Sequence, residues 1–314
     1  MATSGSPTLD REYVCTLSPE FIAKAEKELK EKPEWRKRDI QALRDMILNR
    51  PELGIPTDDP FLLRFLRARK FDYDRAFNLI MKHYQMKVEN EDLFRNLRPS
   101  AVKHVLDAGI TGVLPQRDRE GCRVIIIRPG LWEPDSFSLY DIFRTNFLTL
   151  SKLIEEEDTQ VNGVTILFDL NGIGWKQVKN ISLLYAKRTI SLLQDCFPMR
   201  FKAAHYLNEP RIFNYIFIIL KPFLREKFLS RIHFHGNKME ELHKFIDPEY
   251  LPVDYGGKQP CYSNKDWALK LLACDAQFDM EAKYGLVSSQ PLESHKRVKD
   301  SNLCVVGSYR KLDS

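Results

Sequence analysis

The apolar residues of this chain keep a helical period as far as Pro99 and lose it beyond, and that change constrains the fold more than any single motif. Residues 124–127 (Val-Ile-Ile-Ile) and 164–168 (Val-Thr-Ile-Leu-Phe) are short β-branched runs without alternation. Central parallel strands covered on both faces have this pattern. Residues 201–207 and 232–235 are weaker candidates of the same kind, and helical stretches at about 139–156, 178–196 and 209–228 lie between the runs. Strand and helix in alternation predict a mainly parallel α/β sheet with right-handed crossovers.

Ahead of Pro99 four helices are expected. Ser18 is an N-cap with Pro19 behind it, and Phe21, Ile22, Ala25 and Leu29 recur at three- and four-residue spacing until Pro33 closes the helix. A second helix is expected at about 35–48, a third at 57–69 and a fourth at 72–88. In the third, Thr57 is the expected cap and Phe61, Leu62, Leu63, Phe65 and Leu66 the buried stripe. Arg64, Arg67 and Arg69 fall on or beside its polar face, as a solvated helix end would have them. Residues 1–16 are small and polar, a flexible arm. After Tyr255-Gly256-Gly257 one more helix is expected at 267–272, with a loose tail beyond about 285. The chain of 314 residues thus divides into an arm (1–16), a helical lobe (17–98), an α/β lobe (99–262) and a C-terminal helix with its tail (263–314).

The net charge of +5 is too small to point to nucleic acid, and its position says more than its size. Arg200, Lys202, Arg211, Lys221, Arg225, Lys227 and Arg231 face only Glu209 and Glu226 within 199–231, so the whole surplus sits in one segment. Six scattered cysteines without a CxxC pair suggest neither a disulfide framework nor zinc, and reduced thiols in the cytosol are the expectation. The first residues carry no basic-then-apolar leader, and Ala2 stands where myristoylation requires glycine. The longest apolar run, 215–220, is far too short to cross a bilayer, which takes about 20 residues.

An α/β lobe invites an enzymatic reading, but the sequence supplies no reaction. Gly172-Ile173-Gly174 follows a strand like the start of a dinucleotide fingerprint, yet Gln177 occupies the third glycine's place. There is no GxxxxGK[ST], no GxSxG and no HExxH. His233 and His235 alternate on one strand face without a recognisable third ligand, and packed or hydrogen-bonded histidines are the commoner case. Asp169, at a strand end, suits the capping of the next turn. No enzyme, cofactor or metal is expected.

After Asn208-Glu209-Pro210 the chain becomes strongly apolar. Ile212, Phe213, Ile216, Phe217, Ile219, Leu220, Phe223 and Leu224 share one broad helix face, which Pro222 kinks or ends. A buried crossover helix or a central strand would satisfy the same pattern. Its direct junction with the most basic stretch of the chain favours an amphipathic element that lies on an anionic membrane and moves as a lid.

Five ordered motifs carry a resemblance: Phe61-Leu62-Leu63-Arg64-Phe65-Leu66-Arg67-Ala68-Arg69-Lys70-Phe71-Asp72, Asp195-Cys196-Phe197-Pro198, Asn208-Glu209-Pro210, Ile219-Leu220-Lys221-Pro222-Phe223-Leu224, and Leu251-Pro252 with Tyr255-Gly256-Gly257. Over about 18–280 the chain resembles the CRAL-TRIO lipid-binding family, in its tocopherol-transfer and clavesin branches. The resemblance implies a helical lobe and an α/β lobe around a lipid cavity, closed by a mobile lid at 208–231. It implies a cleft for phosphatidylinositol bisphosphates at Arg69, Arg200, Lys202, Lys227 and Arg231. It carries over a cavity wall of Phe143, Asn146, Phe147, Leu150, Ile166, Phe168, Trp175, Ile181, Leu192, Leu193 and Met199. Asn146 and Leu150 replace serines of the tocopherol carriers, so a retinoid or another lipid fits as well as a tocopherol. Lys202 leans toward the tocopherol branch, while 44–51 and 247–252 look more like the clavesins. The implied partners are a hydrophobic lipid and anionic membranes, with endosomal or clathrin-coat proteins on the clavesin reading. The implied location is cytoplasmic, peripheral on endosomal or other phosphoinositide-bearing membranes.

Overall fold

The computed structural model describes residues 13–286. Four helices form the first lobe: α1 (Pro19–Leu29), α2 (Arg36–Leu48), α3 (Asp59–Ala68) and α4 (Tyr73–Glu89). Ser18 and Asp72 cap α1 and α4 as their side chains allow, accepting from Phe21 N and Arg75 N. The cap of α3 is Asp58, not Thr57: its Oδ1 accepts from Phe61 N at 3.1 Å, which puts Pro60 in the first turn, where the missing N–H costs nothing. Leu43, Ile47, Leu62, Leu66, Leu79 and Ile80 close the core of this lobe.

Arg67 departs from the expected solvated helix end. Its side chain is fully buried, with Nε 2.8 Å from Glu31 Oε2 and Nη1 2.9 Å from Glu157 Oε1. A guanidinium withdrawn from water needs carboxylates and fixed donor geometry. Glu31 follows α1 and Glu157 belongs to α6 (Glu157–Asn162) in the next lobe, so this cation ties three elements together. Glu157 also holds the end of the expected arm, through the Tyr13 hydroxyl and through Thr16 N and Oγ1. Residues 13–16 are therefore anchored; residues 1–12 and 287–314, most of the expected arm and tail, lie outside the described residues.

The second lobe is built on five strands in sequence order: β1 (Thr111–Arg117), β2 (Arg123–Ile127), β3 (Val164–Asp169), β4 (Phe201–Leu207) and β5 (Ile232–Phe234). β1 runs antiparallel to β2 and the other neighbours are parallel. Both faces of the sheet are covered. Val124, Ile126 and Leu167 pack with Leu242, Ile246 and Tyr255, and Ile125 and Val164 pack with α5 (Leu139–Leu153) and α8 (Leu183–Cys196). That double coverage is why these strands are apolar without alternation.

β1 was not legible as a strand. Gly112 and Pro115 interrupt it, and both fit an edge: a Cβ at Gly112 would collide with Tyr262, and the register shifts between Val113 and Arg117. The expected helix at 178–196 starts only at Leu183, after a separate single turn, α7 (Trp175–Val178). The expected helix at 209–228 is broken into α9 (Phe213–Leu220), a 3₁₀ turn (Lys221–Phe223) and α10 (Glu226–Leu229), with Pro222 at the break. Two C-terminal helices follow, α11 (Lys265–Leu272) and α12 (Asp275–Glu281), where one was expected. Gly285–Leu286 then pairs with Leu53–Gly54, so the expected loose tail is held at its first residues.

Candidate functional site

The segment between β4 and β5 carries the apolar helix. Asn208 turns the chain at φ 57°, Phe213 N bonds back to Pro210 O at 2.8 Å, and α9 starts. Phe213 and Ile216 are buried against Leu170, with Phe168, Ile173, Val178, Ile181, Tyr206, Phe217 and Leu220 completing the cluster. The inward face is thus Phe213, Ile216, Phe217 and Leu220, with Ile212 half-buried beside it. Ile219 turns outward, together with Tyr215 and Ile218, which are 61% and 68% exposed. The helix is apolar on both sides, and a helix that is only core filling has no use for the second side. Trp175 of α7 extends the outer face, its ring 6.3 Å from that of Tyr215. Among the described residues, no helix is long and apolar enough to cross a membrane.

One side chain clamps the far end of this segment. Gln194 of α8 donates to Phe223 O at 2.9 Å and accepts from Arg225 N at 3.0 Å. The two bonds sit at the end of α9 where Pro222 has interrupted the helical ladder.

The positions carried over as a cavity wall divide into groups. Phe143, Phe147, Leu150, Leu192, Leu193 and Met199 belong to one cluster between α5, α8 and the sheet. Phe168 and Ile181 belong to the cluster under α9. Along β3 the residues facing the other side, Thr165 and Leu167, are buried, whereas Ile166 and Phe168 beneath the helices remain half-accessible. This strand face is therefore the less completely covered of the two. Asn146 accepts from Thr111 Oγ1 at 2.7 Å, which ties its carbonyl to β1. Trp175 stands on the outer surface.

The five basic positions come from both lobes and meet. Arg69 follows α3, Arg200 precedes β4 and Lys202 lies at its start, Lys227 lies in α10 and Arg231 precedes β5, and all line one cleft of about 680 Å³. Lys70, Arg75, Lys82 and Arg225 line it as well. The sequence carried a signal for Arg75 and Lys82, which sit seven residues apart on one helix face. Burial lowers the Lys227 ammonium pKa, and repulsion from Arg231, Lys70, Arg200 and Arg69 adds to it. Arg69 is depressed likewise, by burial first and then by Arg75 and Arg225. Two acids stand against this charge. Glu28 reaches Arg200 at 2.6 Å and Lys202 at 3.4 Å, and although burial pushes its carboxyl up, these partners hold it below the usual range. Asp195 pairs with Arg225. Crowded cations with few counter-charges make a receptor for a polyanion.

The residues weighed for chemistry take structural roles. Gln177 accepts from Gly174 N and donates to Trp132 O, each at 3.0 Å, fixing the turn where a dinucleotide fingerprint would have its last glycine. Asp169 caps its turn through Asn171 N and accepts from Asn208 Nδ2 at the start of the apolar segment. His235 bonds to His205, Nε2 to Nδ1 at 2.9 Å, and His233 stacks on His205. Among the described residues no group of three or more His, Cys, Asp or Glu side chains could hold a metal.

A helical lobe set against a mainly parallel sheet is the architecture of this chain, and comparison shows that it belongs to the CRAL/TRIO family. The CRAL/TRIO N-terminal domain model matches residues 23–82 and the CRAL/TRIO domain model residues 107–257. Among relatives, the chain is 47% identical over 270 residues to the mouse (Mus musculus) alpha-tocopherol transfer protein-like protein, covering 86% of this chain and 79% of that one. It is 37% identical over 281 residues to human (Homo sapiens) clavesin-2, covering 88% and 85%. The crystal structure of Sfh5 superposes with a TM-score of 0.45 at 14% identity, over 79% of this chain and 99% of that one.

Proposed function

We propose that the protein is a non-enzymatic carrier. It encloses one hydrophobic ligand, a tocopherol, a retinoid or a similar lipid, and exchanges it at membranes bearing phosphatidylinositol bisphosphate. The ligand lies between the helical layer and the sheet face that presents Ile166 and Phe168; α9 is the lid, and the cleft holds the headgroup. The observation that carries this reading is the meeting of Arg69, Arg200, Lys202, Lys227 and Arg231 in one cleft whose wall continues into the segment bearing the outward apolar face. Each cation near an anionic leaflet contributes roughly 1 kcal/mol, and each inserted large apolar side chain about 1.5–3 kcal/mol. Together these exceed the cost of association and give reversible peripheral binding.

Sedimentation with phosphoinositide liposomes tests the reading. An Arg69→Ala/Lys227→Ala variant should lose most of its binding, with a shallower salt dependence than the parent. A Tyr215→Asp/Ile218→Asp variant should lose binding while keeping its thermal midpoint, because neither side chain is in the core. Retention by both variants excludes the membrane assignment. A second reading, a clavesin-like phosphoinositide-binding protein of endosomal and lysosomal trafficking with coat partners, draws on the 37% identity to clavesin-2. It predicts liposome binding without transfer of the hydrophobic ligand.

A further inference from the structure

A second cavity, of about 790 Å³, opens between the helical lobe and the C-terminal helices, away from the basic cleft. Of the carried-over wall positions it touches Phe147 alone. Its wall is aromatic: Phe61 and Phe65 of α3, Tyr84 of α4, Phe94, Phe147 of α5 and Phe278 of α12. Its volume lies within the range of small-molecule sites, roughly 300–1,000 Å³.

Four cations line this space, Arg64, Lys87, Arg95 and Lys283, against three acids, Asp58, Glu91 and Glu281, and two of the cations lie over its aromatic rings. Arg64 lies over the Phe61 ring at 5.2 Å and Lys87 over the Tyr84 ring at 5.0 Å. Among the described residues neither forms an ion pair, and Arg64 Nε is buried without a hydrogen-bond partner. Of the nearby acids, Asp58 is spent on capping α3, and Glu281 accepts from Gln277 Nε2 at 2.8 Å. Burial lowers the Lys87 ammonium pKa and Arg64 lowers it further, with Glu281 pulling the other way. A guanidinium and an ammonium that repel each other in an aromatic cavity are costly, and an anion that reaches both offsets that cost.

We infer that this cavity is a second lipid site for a single-chain amphiphile with a carboxylate head, a fatty acid. The carboxylate bridges Arg64 Nε and Lys87 Nζ, and the acyl chain lies along Phe61, Phe65, Phe94 and Phe147. Chain and head are recognised separately: the aromatic wall accepts any long alkyl group, and the cations reject one without charge.

Calorimetry on the delipidated full chain tests the inference with oleate and with oleyl alcohol, which shares the alkyl chain and lacks the anion. The parent should bind oleate at least about tenfold more tightly than the alcohol, as expected when charged hydrogen bonds are at stake. Arg64→Gln/Lys87→Gln should abolish that preference, and Ser151→Trp, which fills the wall, should remove binding of both at this site. Equal binding of acid and alcohol by the parent, or oleate affinity unchanged in either variant, overturns the assignment. If Arg64→Gln/Lys87→Gln fails to fold, Ser151→Trp decides the matter. The inference stands apart from the proposed carrier function: liposome binding through Arg69 and Lys227 can survive or fail independently of it.

Discussion

Glu28 is the residue whose chemistry bears most directly on the cleft. It supplies an internal anion to Arg200 and Lys202, and on the proposed reading an incoming phosphate competes with it. Glu28→Gln should therefore tighten binding of a soluble inositol bisphosphate several-fold, and calorimetry at two salt concentrations would measure this. Weaker binding would mean that Glu28 orients the two cations more than it neutralises them. Arg67 shows the opposite use of the same ion chemistry. Period alone put it with Arg64 and Arg69 on a polar face, and only the folded chain brings Glu31 and Glu157 to it. A residue's place on a helix wheel is legible in sequence; the carboxylate that will meet it from another lobe is not.

At the scale of elements, the helices and central strands were legible because each is written in a local pattern. Caps at Ser18 and Asp72, and β-branched apolar runs at 124–127 and 164–168, need nothing distant to be recognised. β1 was not legible, since Gly112 and Pro115 fit an edge that depends on neighbours; the break at Pro222 was legible, but the separate turn of helix at Glu226–Leu229 beyond it was not. Gln194 holds the segment at that break. Gln194→Ala should raise amide exchange across 213–228 and leave the sheet protected; unchanged exchange there would deny Gln194 the role of clamp.

The strands on either side of the lid carry His205 and His233 in register, with His235 just beyond β5. Burial, with His235 and His233 adding to it, pulls the His205 pKa down to about 3, and burial and then His233 lower that of His235. Below about pH 6.5 the unfolded chain takes up protons that the folded chain refuses, so stability falls with pH through that range. For His205 alone the loss at pH 5 is about 2 kcal/mol. Urea unfolding at neutral pH and at pH 5 should show this drop, and His205→Gln should shrink it by that amount. An unchanged drop would place the acid sensitivity elsewhere.

For the molecule as a whole, the sequence conveyed the α/β lobe and the identity of five basic positions, but their convergence is a property of the two lobes together. Arg69 comes from the helical lobe and the other four from the strands and lid, and Arg67 with Glu157 helps fix the lobes against each other. The apolar helix after Pro210 was recognisable from its composition, while its division into an inward and an outward face required the sheet beneath it. The basic cleft and the outer apolar face flank one segment, and on the proposed reading, in which that segment moves as a lid, this links headgroup binding to opening. Transfer of a fluorescent tocopherol or retinoid from donor to acceptor vesicles, with and without phosphatidylinositol bisphosphate in the acceptors, measures that linkage. The account predicts that the phosphoinositide accelerates transfer by the parent and leaves an Arg69→Ala/Lys227→Ala variant at the basal rate. Equal acceleration of both proteins, or no transfer by the parent on any membrane, would contradict it.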